Sequence, residues 1–415
     1  MQTSELIERR KILTSRLESH SLTLIFSGVP FKKSADAEYP FVVNQHFFYL
    51  TGVTQEHCAL LLIKTPQVEK VILFVDAVDP NKTRWVGHRL SISEATVISG
   101  IQEILFMDQL DSKMHEILKV PTQYGRINDI YLDFEKNLIV GPSYQTAEKI
   151  KQEYSLSYPA LKWLDVYPLI VKQRMVKSNA EVDALKRAIV ITKHGLDAVY
   201  ETVRPGIYEY QLEALFAYRI GDLEHASLSF ETIIASGKNA IVLHYPDAKS
   251  LIQEGVLVLC DLGAKYDGYS ADITRTYPAS KVFNPLQKQI YDIVLGANKM
   301  LLKLAKPGIK LIDLQNATIE YMAERCVQEG LIKTKENIKD VYYHNCSHHL
   351  GLDTHDPAQR ELPLVPGNVI TIEPGLYFKE FGIGVRIEDD ALITEQGCIN
   401  LSESIKKEIA DIEKR

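Results

Sequence analysis

The sequence predicts an α/β protein in two units, the second made of two related halves. Three observations carry this reading. Over residues 1 to about 165, apolar runs of strand length alternate with charged, helix-compatible stretches. Near residue 178 a capping box opens a long amphipathic helix, which marks a new unit. Beyond it, a helix ending, a strand and a terminal carboxylate recur in the same order further along the chain. The 415 residues leave room for two cores, since one domain usually occupies about 100–200.

In the first unit LTLIF (22–26), ALLLI (59–63) and VILFV (71–75) have the length and composition of buried strands. The boundary is placed between 165 and 178, giving domains of 1–170 and 171–415. There Ser178 caps a helix and Glu181 reciprocates, after which Val182, Leu185, Ile189, Thr192, Leu196, Val199 and Val203 line one face. Asn284 as cap and Pro285 as first helical residue announce a second long helix, with a stripe through Ile290, Ile293, Val294, Leu301 and Leu304.

Both helices stop at the same phrase, Arg204-Pro205-Gly206-Ile207 and Lys306-Pro307-Gly308-Ile309, 102 residues apart. Gly255 then precedes Asp261, which ends VLVLC, by six residues, and Gly367 precedes Glu373, which ends VITI, by the same six. His244 and His355 stand 11 and 12 residues ahead of those glycines. A divergent duplication accounts for every echo; the alternative is chance likeness of two α/β stretches. Two such halves would pack about a pseudo-twofold axis, bringing strand carboxylates together near the middle.

Composition narrows the function. Hydrophobic residues at 46% and charged residues at 24% exclude a largely disordered chain. A net charge of -7, from 47 Lys and Arg against 54 Asp and Glu, offers no basic footprint, so no nucleic-acid partner is expected. The opening MQTSELIERRK has no apolar core, and no run approaches the roughly 20 apolar residues of a bilayer span, so no membrane partner is expected either. Five widely spaced cysteines, none in a C-x-x-C arrangement, read as free thiols of a reducing compartment, the cytoplasm.

Asp261 and Asp272 lie on two strand-like runs joined by a turn at Asp267-Gly268, a hairpin signal. Their odd separation of 11 puts both side chains on one face if the loop has two residues, and not if it has three. Two aspartates on one buried face would raise each other's pKa unless a cation held them; alternatively, one of them faces solvent. More ligand types follow downstream. SHHLGLDTHD holds His348, His349 and His355, of which His349 reads as a polar turn residue, and Glu373 and Glu388 end apolar strand runs. Four carboxylates and one imidazole make a hard-ligand set suited to manganese, cobalt or zinc, and four negative charges match two divalent ions.

DLGAKYDGYSADITRT, SHHLGLDTHD, ITIEPGLY and GVRIEDD resemble the signatures of the pita-bread metallopeptidases, and among them of the X-Pro aminopeptidase (aminopeptidase P) family. SGKNAIVLHYP extends the likeness in the second unit, while KSADAEYPF, FFYLTG and WVGHRL in the first resemble the family's creatinase-like domain. The resemblance implies an N-terminal creatinase-like α/β domain, a C-terminal pita-bread domain, and release of the N-terminal residue from peptides with proline second. It implies two divalent ions, manganese ahead of cobalt or zinc, and a homo-oligomer, dimer or tetramer. Prolidase, confined to X-Pro dipeptides, shares most of these motifs. Some pita-bread proteins are non-catalytic binding modules, and retention of all five ligands argues against that class.

Carried over by position, Asp261 is expected to chelate one ion, Asp272 and Glu388 to bridge, and His348 with Glu373 to complete the other. Glu373 would also handle the proton of the bridging hydroxide. His244 and His355 are the expected donors to the substrate carbonyl and its oxyanion. Three further residues are expected on the substrate side. Arg386 lies two residues before Glu388 on its strand face, where a guanidinium can also orient a ligand carboxylate. Arg360 follows His355 by a connection shorter than in bacterial members. Trp85 matches a tryptophan that reaches the active site of a neighbouring subunit, the competing reading being an exposed or core tryptophan.

Overall fold

In the first of two units, Met1–Gln173, the apolar runs fold as strands β1 (Ser21–Phe26), β2 (Ala59–Lys64) and β3 (Glu69–Val75). Together with β4 (Glu103–Phe106), β5 (Asp129–Leu132) and β6 (Lys162–Asp165) they form a six-stranded mixed sheet in the order β4-β3-β2-β1-β5-β6. All of β1 is buried, because both faces of the sheet are covered; that is why its sequence reads as a continuous apolar run instead of an alternating one. On one face Leu22, Leu24, Phe26, Ile72 and Phe74 pack with Leu110, Met114 and Ile117 of helix α1 (Leu110–Lys119) and Tyr154 of α2 (Pro142–Ser157). The computed structural model describes residues 2–78, 83–84, 87–135 and 142–414, without the side chains of 142–145.

The second unit, Arg174–Arg415, opens on the expected capping box. Ser178 accepts from the Glu181 N–H, and the Glu181 carboxylate accepts from the Ser178 N–H at 2.9 Å, which starts α3 (Asn179–Thr202). Its predicted stripe is buried from Val182 through Val199. The partner helix α4 (Glu209–Asp222) sends Leu212 and Phe216 into the same core. Downstream, Asn284 and Pro285 begin α5 (Pro285–Leu304), followed by α6 (Leu311–Gln328).

The duplication is visible in matching backbone hydrogen bonds. Gly206 N–H donates to the Ile252 carbonyl at 2.9 Å and Ile252 N–H to that of Ile207 at 2.8 Å. Gly308 N–H donates to Leu364 at 2.9 Å and Leu364 N–H to Ile309 at 2.7 Å. Gly206 and Gly308 have φ of 85° and 91°, the left-handed region where a side chain would be strained, so the repeated Pro-Gly phrase is a repeated helix exit.

The strands carry the chemistry. β8 (Ile233–Ser236), β9 (Leu257–Leu262) and β12 (Ile273–Pro278) form one sheet, and β13 (Val369–Ile372), β16 (Asp389–Thr394) and β17 (Gly397–Asn400) its counterpart. Beyond β9 the chain continues as β10 (Ala264–Tyr266) and β11 (Tyr269–Ser270), with β7 (Ser227–Leu228) beside β10. The second half adds the pair β14 (Gly375–Phe378) and β15 (Ile383–Arg386). Tyr266 pairs with Tyr269, so the hairpin turns on two residues, Asp267 and Gly268, with φ of 49° and 87°. The same register runs down to Asp261 opposite Thr274, which makes Asp272 the diagonal, same-face neighbour of Asp261.

His349 departs from its reading as a polar turn residue. It is buried, forms an isolated bridge with Ile370, and its carbonyl accepts from Asp356 N–H at 2.9 Å. Among the described residues no helix is long and apolar enough to cross a membrane.

Candidate metal centre

The five predicted ligands come from separate elements that the two halves bring to one place. Asp261 lies in β9, Asp272 leads into β12, Glu373 follows β13, and Glu388 links β15 to β16. His348 sits in the loop before β13, fastened to it by Thr371 N–H to the His348 carbonyl at 2.9 Å and by His348 N–H to Thr371 Oγ1 at 3.1 Å. Glu388 N–H donates to the Thr274 carbonyl at 3.0 Å, locking the Glu388 link against β12. Ligand atoms of Asp261, Asp272 and Glu388 lie within 4.8 Å of one another, and so do those of His348, Glu373 and Glu388. Glu388 is shared by these two groups, and a third group of the same kind joins Asp272 and His348 to a ring nitrogen of His355.

The chemistry of these atoms suits cations. His348 Nδ1 lies 3.0 Å from the His349 carbonyl, so the ring hydrogen belongs there. Nε2 then faces Asp272 Oδ2 at 3.4 Å and Glu373 Oε1 at 3.5 Å. Asp261 Oδ1 is buried with no hydrogen-bond partner. Burial, then the Asp261 charge, hold the Asp272 carboxyl well above the carboxylate range. Burial, with Asp272 and Glu373 next, does the same to Glu388, and burial pushes Glu373 up to about 7. Crowded acceptors of this kind are relieved either by protons or by a divalent cation, and hard carboxylate oxygens with one imidazole nitrogen fit the latter.

The outer residues take distinct positions. The His355 ring stacks edge-on to His348, centroids 4.2 Å apart, while keeping an exposed face. Its pKa is lowered to about 4, by burial first and then by His348 and His244, so the ring is neutral at neutral pH. His244 is exposed, on the turn after residues 237–241. Arg360 is exposed and close enough to His355 to contribute to that lowering. Arg386, expected on the substrate side and able to orient a carboxylate, is buried against the carboxylates. It donates to Asp261 Oδ2 at 2.5 Å, to Thr274 Oγ1 at 3.1 Å and to the Tyr377 hydroxyl oxygen at 3.1 Å, so its guanidinium fixes the Asp261 carboxylate in place. Trp85 lies outside the described residues.

Several participants escaped the sequence reading. Tyr377 passes the chain of hydrogen bonds from Arg386 to His344 Nε2 at 2.9 Å, and His344 Nδ1 lies 2.8 Å from the Asn345 carbonyl. The signal for Tyr377 was its period-two spacing from Glu373 through Gly375, which pairs with Arg386. His344 stands four residues before His348 and belongs to the same histidine-rich run. Thr274 donates its hydroxyl to Glu388 Oε2 at 2.6 Å, and Asp390 Oδ2 accepts from Asp272 N–H at 3.2 Å. Arg275, fully buried, pairs with Asp389 at 2.7 Å and donates to the Glu388 carbonyl at 2.6 Å, supporting the link from behind.

Residues 183–395 match the model of metallopeptidase family M24, and residues 6–124 match that of the aminopeptidase P N-terminal domain. An Xaa-Pro aminopeptidase of Haemophilus influenzae is 32% identical over 428 residues, covering 99% of this chain and 96% of its own. A Bacillus anthracis protein described as an aminopeptidase P has a similar structure, with a TM-score of 0.96 at 40% identity over 100% of this chain and 98% of its own. Escherichia coli aminopeptidase P with the inhibitor Pro-Leu gives a TM-score of 0.89 at 31% identity, over 100% of this chain and 98% of its own. The chain belongs to metallopeptidase family M24, with a pita-bread domain preceded by a domain of the aminopeptidase P N-terminal type.

Proposed function

We propose that this protein is a dinuclear metallo-aminopeptidase that releases the N-terminal residue from peptides whose second residue is proline. The observation that carries the reading is the convergence of Asp261, Asp272, His348, Glu373 and Glu388 ligand atoms in a chain resembling Xaa-Pro aminopeptidases along its whole length. Residues 1–170 act as the creatinase-like domain and 171–415 as the catalytic one. Manganese is the favoured metal, ahead of cobalt or zinc, and two ions match the four carboxylates. The protein works as a homo-oligomer. A cytoplasmic location is supported by five unpaired cysteines, four of them buried.

Asp261, Asp272, His348, Glu373 and Glu388 are the residues that would hold the two ions. Divalent ions bound there supply Lewis acidity and activation of water at neutral pH. The remaining work falls to side chains. An X-Pro bond has no N–H for a peptidase to grip, so recognition rests on the proline ring and the carbonyl. His244 and His355 donate to that carbonyl oxygen as negative charge develops on it. Glu373 would take a proton from the attacking water and deliver it to the proline nitrogen as the carbon–nitrogen bond breaks. Arg386, fixed by Thr274 and Tyr377, keeps Asp261 aimed inward. Substrate length supplies the test. X-Pro tripeptides should be cleaved at least as efficiently in kcat/KM as the matching dipeptides, releasing only the first residue. Clear preference for the dipeptide would make the protein a prolidase, a reading its relatives' names do not favour.

A further inference from the structure

The segment that carries His244 is fastened around a buried carboxylate whose place in the chain gave no hint of a role. Glu209 is the first residue of α4 and is 0% exposed. Its Oε1 accepts from Ser236 N–H at 2.7 Å, Ser236 Oγ at 2.6 Å and Asn239 Nδ2 at 2.9 Å. Its Oε2 accepts from the Tyr245 hydroxyl at 3.1 Å and Ser250 N–H at 3.0 Å. The donors straddle His244, two residues of the segment before it and two after it.

No ion pair with a cation is formed by this carboxylate among the described residues. A buried charge without a counter-ion must be satisfied by hydrogen bonds, and here the 236–250 segment supplies all five. The position at a helix N-terminus adds the favourable end of the α4 dipole. The conformation of the segment is therefore a condition for burying the charge. Asn239 reinforces it by donating also to the Tyr245 hydroxyl oxygen at 3.1 Å and to Ser250 Oγ at 2.8 Å. Two backbone bonds tie the segment to the start of α4: Tyr210 N–H to the Ala248 carbonyl at 2.7 Å and Glu209 N–H to that of Ser250 at 3.1 Å.

We infer that Glu209 is a positioning residue for His244, holding the imidazole where it meets the substrate carbonyl. This rests on the X-Pro aminopeptidase reading for the role of His244, whereas the anchoring of the segment stands on the hydrogen bonds alone. The test uses the metal-reconstituted full chain and the variants Glu209→Gln, His244→Ala and the two combined. Glu209→Gln puts an amide N–H₂ against donors, so kcat on an X-Pro tripeptide should fall roughly 10-fold or more while KM changes little. The double variant should be no slower than His244→Ala alone, within about two-fold. Hydrogen exchange should accelerate within 237–250 with metal content unchanged. Tyr245→Phe, which removes one donor next to His244, gives a smaller version of the same pattern and serves if the glutamine variant does not fold. Penalties that multiply in the double variant, or unchanged exchange in 237–250, overturn the proposal. A wild-type protein that leaves X-Pro peptides intact, with exchange still accelerated in the variant, removes the aminopeptidase reading and supports the anchoring.

Discussion

His355 is held in place from the residue that follows it. Asp356 is fully buried and is gripped by Arg174 at 2.6 Å and Lys177 at 3.0 Å, both buried too. Burial works to raise the Asp356 carboxyl, but the Arg174 and Lys177 charges outweigh it and hold the group below the ordinary carboxylate range. Asp356→Asn would leave two buried cations short of a counter-charge, and should cost about 3–5 kcal/mol in denaturant unfolding at neutral pH. The pH dependence follows from the lowered folded-state value. The stabilisation is complete above the unfolded carboxylate pKa of about 4 and is lost as pH falls through the folded value, so the variant should show a flatter acid limb. Equal stability of the two proteins at pH 7 would contradict this. At this scale the sequence revealed the candidate ligands, because histidines and strand-terminal carboxylates are scarce and stand out. Tyr377, His344 and Asp356 stayed hidden because their partners, Arg386, Tyr377 and Arg174, meet them only in the folded chain.

Parity made the hairpin legible as an element. An odd spacing between Asp261 and Asp272, joined to a two-residue Asp-Gly turn, defined which face both side chains share, and the register agrees. What parity could not reveal is how tightly the two strands close between the aspartates. A Cβ on Gly263 would stand 1.9 Å from the Ala271 carbonyl oxygen, a backbone atom that cannot swing aside. Gly263→Ala should therefore prise the hairpin open, cost about 1–3 kcal/mol of stability and weaken manganese binding in a calorimetric titration. Wild-type metal affinity in that variant would refute the view that hairpin closure aligns the two carboxylates. Helix boundaries were legible for a related reason: the Ser178–Glu181 and Asn284–Gln287 boxes are local reciprocal hydrogen bonds that need no tertiary context.

At the scale of whole units, the second unit, Arg174–Arg415, is organised by its two related halves. Repeated Pro-Gly exits, each closed by the same pair of backbone hydrogen bonds, set two similar sheets in one unit, and each half contributes carboxylates from strand ends. A site assembled this way gathers more negative charge than neighbouring side chains can compensate, and the dinuclear account explains that excess directly. Titrating metal-free protein with manganese while following release of the first residue from an X-Pro tripeptide tests it. Activity should rise to a plateau at two equivalents per chain and vanish again with chelator. Full activity in metal-free protein, or a plateau reached at one equivalent with no further gain, would contradict the dinuclear account.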